Sequence, residues 1–264
     1  MARLKPADFE DRMSLVEHLT ELRGRIVVSI VIFGAAFALC FWQNQWLLDI
    51  ANDPLPADLP VPITFGVTEP FFTTMLVSAY GAMILALPLL LYQVYAFILP
   101  AMSPRERKTV TPFLIAAPFL FLAGVAFAYF VVMPIAVKFL LNFNDAEFNI
   151  QVRAKDYYGF FGLMMVAMGL LFQIPIAVLS VTRLGIAEPE WFAKNRRYAI
   201  FIIAVVSAAA PGGDPVSMFL IMGPLLLLYE GSILIAKRYG RPPEPEPPGP
   251  EPPAAAPPSG EAGS

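Results

Sequence analysis

Two long apolar runs joined by a very short charged turn set the tightest limit on how this chain can fold. Residues 71–99 and 111–136 are almost wholly apolar, and between them stands Ser103-Pro104-Arg105-Glu106-Arg107-Lys108. Each run exceeds the roughly 20 residues a helix needs to cross a hydrocarbon core of about 30 Å. In lipid, backbone polar groups must be satisfied inside the segment, so both runs are helices and the pair is a membrane hairpin. The cations of the turn mark one membrane face, and Glu106 is its only anion. Composition agrees: the 264 residues are 57% hydrophobic and 15% charged, whereas soluble domains have about 45–50% and about 25%.

Further apolar runs cover 26–46, 158–182, 198–210 and 216–236. The expected fold is therefore an all-α integral membrane protein with six transmembrane helices. The run 158–182 is interrupted by Gln173 and Pro175. The run 198–210 would cover only about 20 Å at about 1.5 Å per residue, which predicts a thinned bilayer and a concave helical bundle there. Residues 47–70 hold Pro54, Pro56, Pro60, Pro62 and Pro70 without any Lys or Arg. They predict an ordered outer cap, non-helical or in short helical turns. The expected division is an amphipathic N-terminal segment over 1–25, a membrane domain over 26–237, and a disordered proline-rich tail over 238–264.

Charge sets the expected orientation. Arg3, Lys5, Arg12, Arg23 and Arg25 precede the first run, Arg105, Arg107 and Lys108 lie in the hairpin turn, Arg183, Lys194, Arg196 and Arg197 in the third such segment, and Lys237, Arg238 and Arg241 after the last run. These are 15 of the 18 Lys and Arg; the other loops hold Lys138, Arg153 and Lys155. Cytoplasmic segments carry the excess of Lys and Arg, so both termini are expected in the cytoplasm. The N-terminus is mixed in charge and has no apolar core of a signal peptide, so the first run is expected to be its own insertion signal.

One Cys and one His exclude an intrachain disulfide and a Cys/His zinc site, and no cofactor is expected. No Ser/His/Asp set, nucleotide-binding loop or HExxH is present, so an enzyme is not expected. Attention falls instead on carboxylates at the membrane boundary. Leu15, Leu19, Leu22 and Ile26 form one apolar stripe, and Glu21 and Arg25 pair at i,i+4 on the other side. Ser103, Pro104 and Glu106 fit N-cap, N1 and N3 of a capping box. Glu21 and Glu106, each beside cations, would also suit a pair of guanidinium groups, which carboxylates accept bidentately. Within the runs, Gln173 suits an interhelical hydrogen bond or a functional role. Asp214 suits an N-cap ahead of Pro215, and Glu230 suits protonation or pairing near the basic end of its helix.

The segment His18-Leu19-Thr20-Glu21-Leu22-Arg23-Gly24-Arg25 resembles the HLxELRxR motif of the TatC family, the multispanning receptor subunit of the twin-arginine protein translocase. Thr68-Glu69-Pro70-Phe71-Phe72, Leu91-Tyr92-Gln93-Val94-Tyr95-Ala96-Phe97 with Pro100-Ala101, and Phe127-Ala128-Tyr129-Phe130 match in the same order. So do Glu106 in its turn and Asp214. The resemblance covers about residues 14 to 239. It implies a bacterial inner-membrane receptor for twin-arginine signal peptides of folded cargo, working in a homo-oligomeric complex with single-span TatA/TatB-type subunits and driven by the proton-motive force. Nucleic acid has no place in it. By the resemblance, Glu21 and Glu106 would bind the two arginines, and Arg23 and Phe97 would shape the site. Pro54, Glu69 and Asp214 would support the outer face. Gln173 stands where the family often has a buried glutamate, and Met218 where some members have a polar residue facing a partner helix. The competing readings are a proton-coupled small-molecule transporter, which Glu230 and the proline-broken helices suit, and an assembly scaffold without substrate contact.

Overall fold

The computed structural model describes residues 15–56, 61–98, 104–143, 147, 150–183, 186–209 and 214–239. Helices α1 (Leu15–Trp42), α2 (Asn44–Asn52), α3 (Glu69–Ile98), α4 (Pro104–Phe127), α5 (Met133–Asn142), α6 (Ala154–Leu171), α7 (Ile174–Arg183), α8 (Pro189–Lys194), α9 (Arg196–Ala208) and α10 (Pro215–Tyr239) follow in order. A π-helical turn, Ala128–Val132, joins α4 to α5. The described residues contain no strand, only an isolated parallel bridge between Ile63 and Arg153.

Among the described residues, five stretches are long and apolar enough to cross a membrane: Leu19–Trp42, Glu69–Phe97, Thr111–Asn142, Ala154–Thr182 and Pro215–Arg238. The fifth apolar run falls on α9, whose 13 residues reach only about 20 Å. The first apolar run stops earlier than its composition suggests. Asn44 Nδ2 donates to the Phe41 carbonyl at 2.7 Å, a side-chain bond that satisfies a carbonyl at the end of α1. Trp46 therefore belongs to the separate helix α2 rather than to the span. The break between α6 and α7 falls at Phe172 and Gln173, where Pro175 withholds the N–H that would continue the ladder.

The bundle is built around α6 and its continuation. The most apolar part of Ala154–Thr182 is 56% buried, against 11% for that of Leu19–Trp42, so α6 is central and α1 peripheral. Helix α1 packs on α3, both α3 and α4 pack on α6, and α10 packs on α7 and α9. Lipid is as apolar as leucine, so these contacts rest on close van der Waals fit rather than on escape from water. Glycines provide that fit. A Cβ on Gly162 would fall 2.1 Å from the Tyr80 ring, and one on Gly169 would fall 2.4 Å from the Phe121 ring. Phe121, Met164 and Met168 are fully buried at these crossings, as are Ile221 and Leu225 in α10.

Candidate functional site

At the end of the bundle that carries the N-terminus, one arginine joins two helices. Arg25 Nε donates to Glu21 Oε1 at 2.9 Å, and its Nη2 reaches the same oxygen. Across the interface, Nη1 donates to Gln93 Oε1 at 3.2 Å and Nη2 to the Ala96 carbonyl at 3.0 Å. Ala96 lies in the last turn of α3, where carbonyls lack helical donors and a cation is favoured by the helix dipole. The start of α1 is thereby fixed to the end of α3. The Arg25 and Glu21 side chains are 24% and 21% exposed, so the pair is shielded without being sealed from solvent. The expected i,i+4 pair exists, and it does more than the sequence suggested.

Arg23 is exposed on the same end of α1, and Phe97 is partly buried in the last turn of α3. Glu106 falls in the first turn of α4, which begins at Pro104. The side chain of Glu106 and the whole of Ser103 lie outside the described residues, as does the side chain of His18.

The opposite end is organised around helix termini and tyrosines. All four terminal carbonyls of α2 are satisfied. Asp49 and Asn52 accept from the backbone of Asp53 at 3.1 Å and Leu55 at 2.9 Å. Ile50 accepts from the Tyr129 hydroxyl at 3.3 Å, and Ala51 from the Tyr157 hydroxyl at 2.5 Å. The Tyr129 hydroxyl is also 3.0 Å from Asp53 Oδ2, and Tyr158 donates to Asn52 Oδ1 at 2.9 Å. Tyr129 is presented from the π-helical turn, a feature often found at functional positions. Pro54 sits in the turn that follows α2.

Glu69 is buried at the head of α3. Arg153 Nε donates to its Oε1 at 2.7 Å, and the amides of Phe65 and Gly66 donate to its Oε2 at 2.9 and 3.3 Å. The hydrogen bond that Arg153 donates to the Glu69 carboxylate pushes the guanidinium above its already high pKa. Ile63 exchanges backbone bonds of 2.8 Å with Val152 and Ala154 beside it. Together these clasp the segment before α3 to the start of α6. In the sequence Arg153 is only a charge in a loop; nothing in its spacing identifies Glu69 as its partner 84 residues away.

Asp214 is the N-cap of α10, accepting from the Ser217 amide at 2.8 Å, and Met218 continues that first turn with its amide 3.0 Å from the Asp214 carbonyl. Loss of an N-cap carboxylate costs about 1 kcal/mol. We therefore expect Asp214→Ala to lower the melting temperature in detergent, and Asp214→Asn, which retains the acceptor, to leave it unchanged.

Inside the bundle, Gln173 donates to the Ala117 carbonyl of α4 at 3.2 Å, an interhelical bond of the kind its position suggested. Glu230 is paired, and the partner is Arg196 on α9 at 2.8 Å. This pair, together with the Tyr229 hydroxyl on the Phe192 carbonyl at 3.0 Å, ties α10 to the start of α9 and to α8. An apolar cavity of about 640 Å³ opens between α1, α2, α3, α4 and α6, with Cys40, Trp46, Tyr80, Leu122, Phe130 and Met165 on its walls. Among the described residues, no three His, Cys, Asp or Glu side chains converge as metal ligands would.

This arrangement can be set beside known proteins. Residues 17–224 match the family model "Sec-independent protein translocase protein (TatC)". A TatC protein of Desulforapulum autotrophicum is 34% identical over 235 residues, covering 88% of this chain and 87% of that one. A TatC protein of Campylobacter jejuni is 36% identical over 232 residues, covering 86% and 95%. A crystal structure of the twin-arginine translocase receptor TatC superimposes with a TM-score of 0.75 at 34% identity, covering 85% of this chain and 100% of that one. A second TatC crystal structure, in DDM, gives 0.74 at 36% identity. A match that runs through both ends of the bundle, from the Glu21–Arg25 pair past the Asp214 cap, places this chain in the TatC family, as a membrane component of the Sec-independent, twin-arginine protein translocase.

Proposed function

We propose that this chain is the receptor that binds twin-arginine signal peptides at its basic, cytoplasmic end. Glu21 and Glu106 take the two arginines, with Arg23 and Phe97 shaping the site. The observation that carries this reading is the Arg25 bridge. It holds Glu21 on a fixed α1–α3 junction before any ligand arrives, and such preorganisation lowers the cost of binding. An incoming guanidinium meets a carboxylate already oriented, and competes with Arg25 for it. Export of folded cargo then depends on the proton-motive force and on single-span subunits of the TatA/TatB type. Short α9, with Phe201, Ile202 and Val205 exposed, supports a docking face for such a helix beside α10, within a homo-oligomeric receptor complex. Pro54, Glu69, Asp214 and Met218 support the outer face, and Gln173 and Glu230 hold helices together.

The test is retention of a signal peptide by the purified protein in bilayer discs. A twin-arginine peptide should be retained and a twin-lysine peptide only weakly, because lysine lacks the bidentate fork. A transporter would retain neither, and a scaffold would retain only other subunits.

The same reading puts six crossings in the bacterial inner membrane with both termini inside. Val67 is fully exposed, and Lys194 is exposed at the other end of the bundle. A cysteine at Val67 should react with an impermeant maleimide added to whole cells, and one at Lys194 only after lysis. Native Cys40 is buried and should give little background. Labelling of the Lys194 position in intact cells would reverse the orientation.

A further inference from the structure

Beside the Glu69–Arg153 clasp is a second hollow of about 640 Å³, lined among others by Phe65, Phe72, Thr73, Leu76, Arg153 and Lys155. Its polar groups are unevenly satisfied. Glu69 is saturated by Arg153 and by the amides of Phe65 and Gly66. Arg153 is fixed by Glu69 and lies 5.6 Å above the Phe65 ring. Lys155 is exposed and has no ion pair among the described residues. The Thr73 hydroxyl, in a residue only 5% exposed, has no hydrogen-bond partner among the described residues. A helical threonine usually satisfies its hydroxyl on the carbonyl four residues back; this one does not. A buried polar group without a partner is costly, and such a group in a native fold calls for a ligand or water.

We propose that this hollow is a binding site for the phosphate headgroup of a phospholipid. Arg153 and Lys155 line it against Glu69 alone, which leaves its wall one net positive charge and favours an anion; Asp156, 3.9 Å from Arg153 Nη1, is 70% exposed and stands outside the lining. The phosphate accepts from the Thr73 hydroxyl and from Lys155, and Arg153 faces it with a guanidinium held over the Phe65 ring. The acyl chains leave along Phe72, which is 63% exposed, and Leu76, one turn further down α3. The site lies at the first turns of α3, where the apolar stretch Glu69–Phe97 begins, and a span of that length would put it near the interface. The clasp is thereby both the wall of the site and the group that lipid would hold shut.

Thr73→Val removes the hydroxyl at nearly constant shape, and Lys155→Gln removes the free cation; neither touches the Glu69–Arg153 pair. Delipidated protein in detergent is titrated with a phosphatidylglycerol of native chain length, and melting temperature and lipid count by native mass spectrometry are read together. The unmutated protein should gain melting temperature with lipid, since ligand binding to the folded state stabilises it. Each variant should need about tenfold more lipid for the same gain, the loss expected for one charge-assisted hydrogen bond. Without lipid, Thr73→Val should melt no lower than the unmutated protein, because it loses an unpartnered hydroxyl. Diacylglycerol, which lacks phosphate, should give no gain. Identical lipid dependence in all three proteins overturns the proposal. So does glycerol phosphate acting as well as the lipid, which would make this a site for soluble phosphate.

Discussion

Replacing Glu21 and Glu106 together by glutamine is expected to weaken binding of a twin-arginine signal peptide more than either change alone, and by at least about tenfold, while leaving the protein's level in the membrane unchanged. A charge-assisted hydrogen bond contributes about 1.5–3 kcal/mol, or roughly ten- to a hundredfold in affinity at 1.4 kcal/mol per decade. Two such losses do not add fully when the groups share one ligand, hence the lower bound. Folding should survive each change for a different reason. Glutamine can replace glutamate at N3 of a capping box, so the start of α4 should hold. At position 21 the amide oxygen can still accept from Arg25, whose bonds to Gln93 and the Ala96 carbonyl also remain. Single variants should each lose ten- to a hundredfold, measured by fluorescence anisotropy of labelled peptide on protein in bilayer discs. A double variant that binds normally would leave Glu106 as a helix cap and Glu21 as half of a structural pair.

The second large effect concerns packing. Gly124→Ala should lower stability by about 1–3 kcal/mol, the usual cost of overpacking a tight interface. A Cβ there would lie 2.7 Å from the Met168 carbonyl oxygen and 2.8 Å from Cγ of Phe172. A side chain could turn aside, but a backbone carbonyl in α6 cannot, so α4 must move away from α6. The Gln173–Ala117 bond bridges the same interface and should lengthen with it. Gly34→Ala is the control: nothing lies within 4 Å of a Cβ at that position, and its melting temperature should equal or slightly exceed the unmutated protein's, because alanine favours a helix over glycine by about 0.5–1 kcal/mol. Equal melting of both variants would show that α4 and α6 are not held at this distance.

Much of this fold was legible in the sequence, because a bilayer leaves the chain few choices. Apolar length gave the long helices, and the missing N–H of Pro175 gave the break at Gln173. Asp214 before Pro215 gave a helix start that the Ser217 amide bears out. The shortness of α9 followed from counting residues. Pairings distant in sequence were not legible. Nothing local links Arg153 to Glu69, Arg196 to Glu230, or Tyr157 to the Ala51 carbonyl, because helix packing rather than spacing brings them together. The end of α1 was misplaced for a similar reason. Composition carries apolar character through Trp46, while one Asn44 side-chain bond turns the chain after Trp42. At the candidate site, the sequence identified the Glu21–Arg25 pair but not its reach to Gln93 and Ala96. That reach distinguishes a surface ion pair, worth little, from a junction between two helices.

The most direct test is site-specific photo-crosslinking from positions 21 and 106. A photoreactive residue at each position, in otherwise unmutated protein in native membranes, is exposed to a signal peptide carrying two adjacent arginines. The expected result is strong crosslinking from both positions to residues flanking the arginine pair, lost when the arginines become lysines and competed away by unlabelled twin-arginine peptide. Crosslinks only to other subunits, or crosslinks to the peptide that persist with lysines in place of the arginines, would contradict a receptor site built on Glu21 and Glu106.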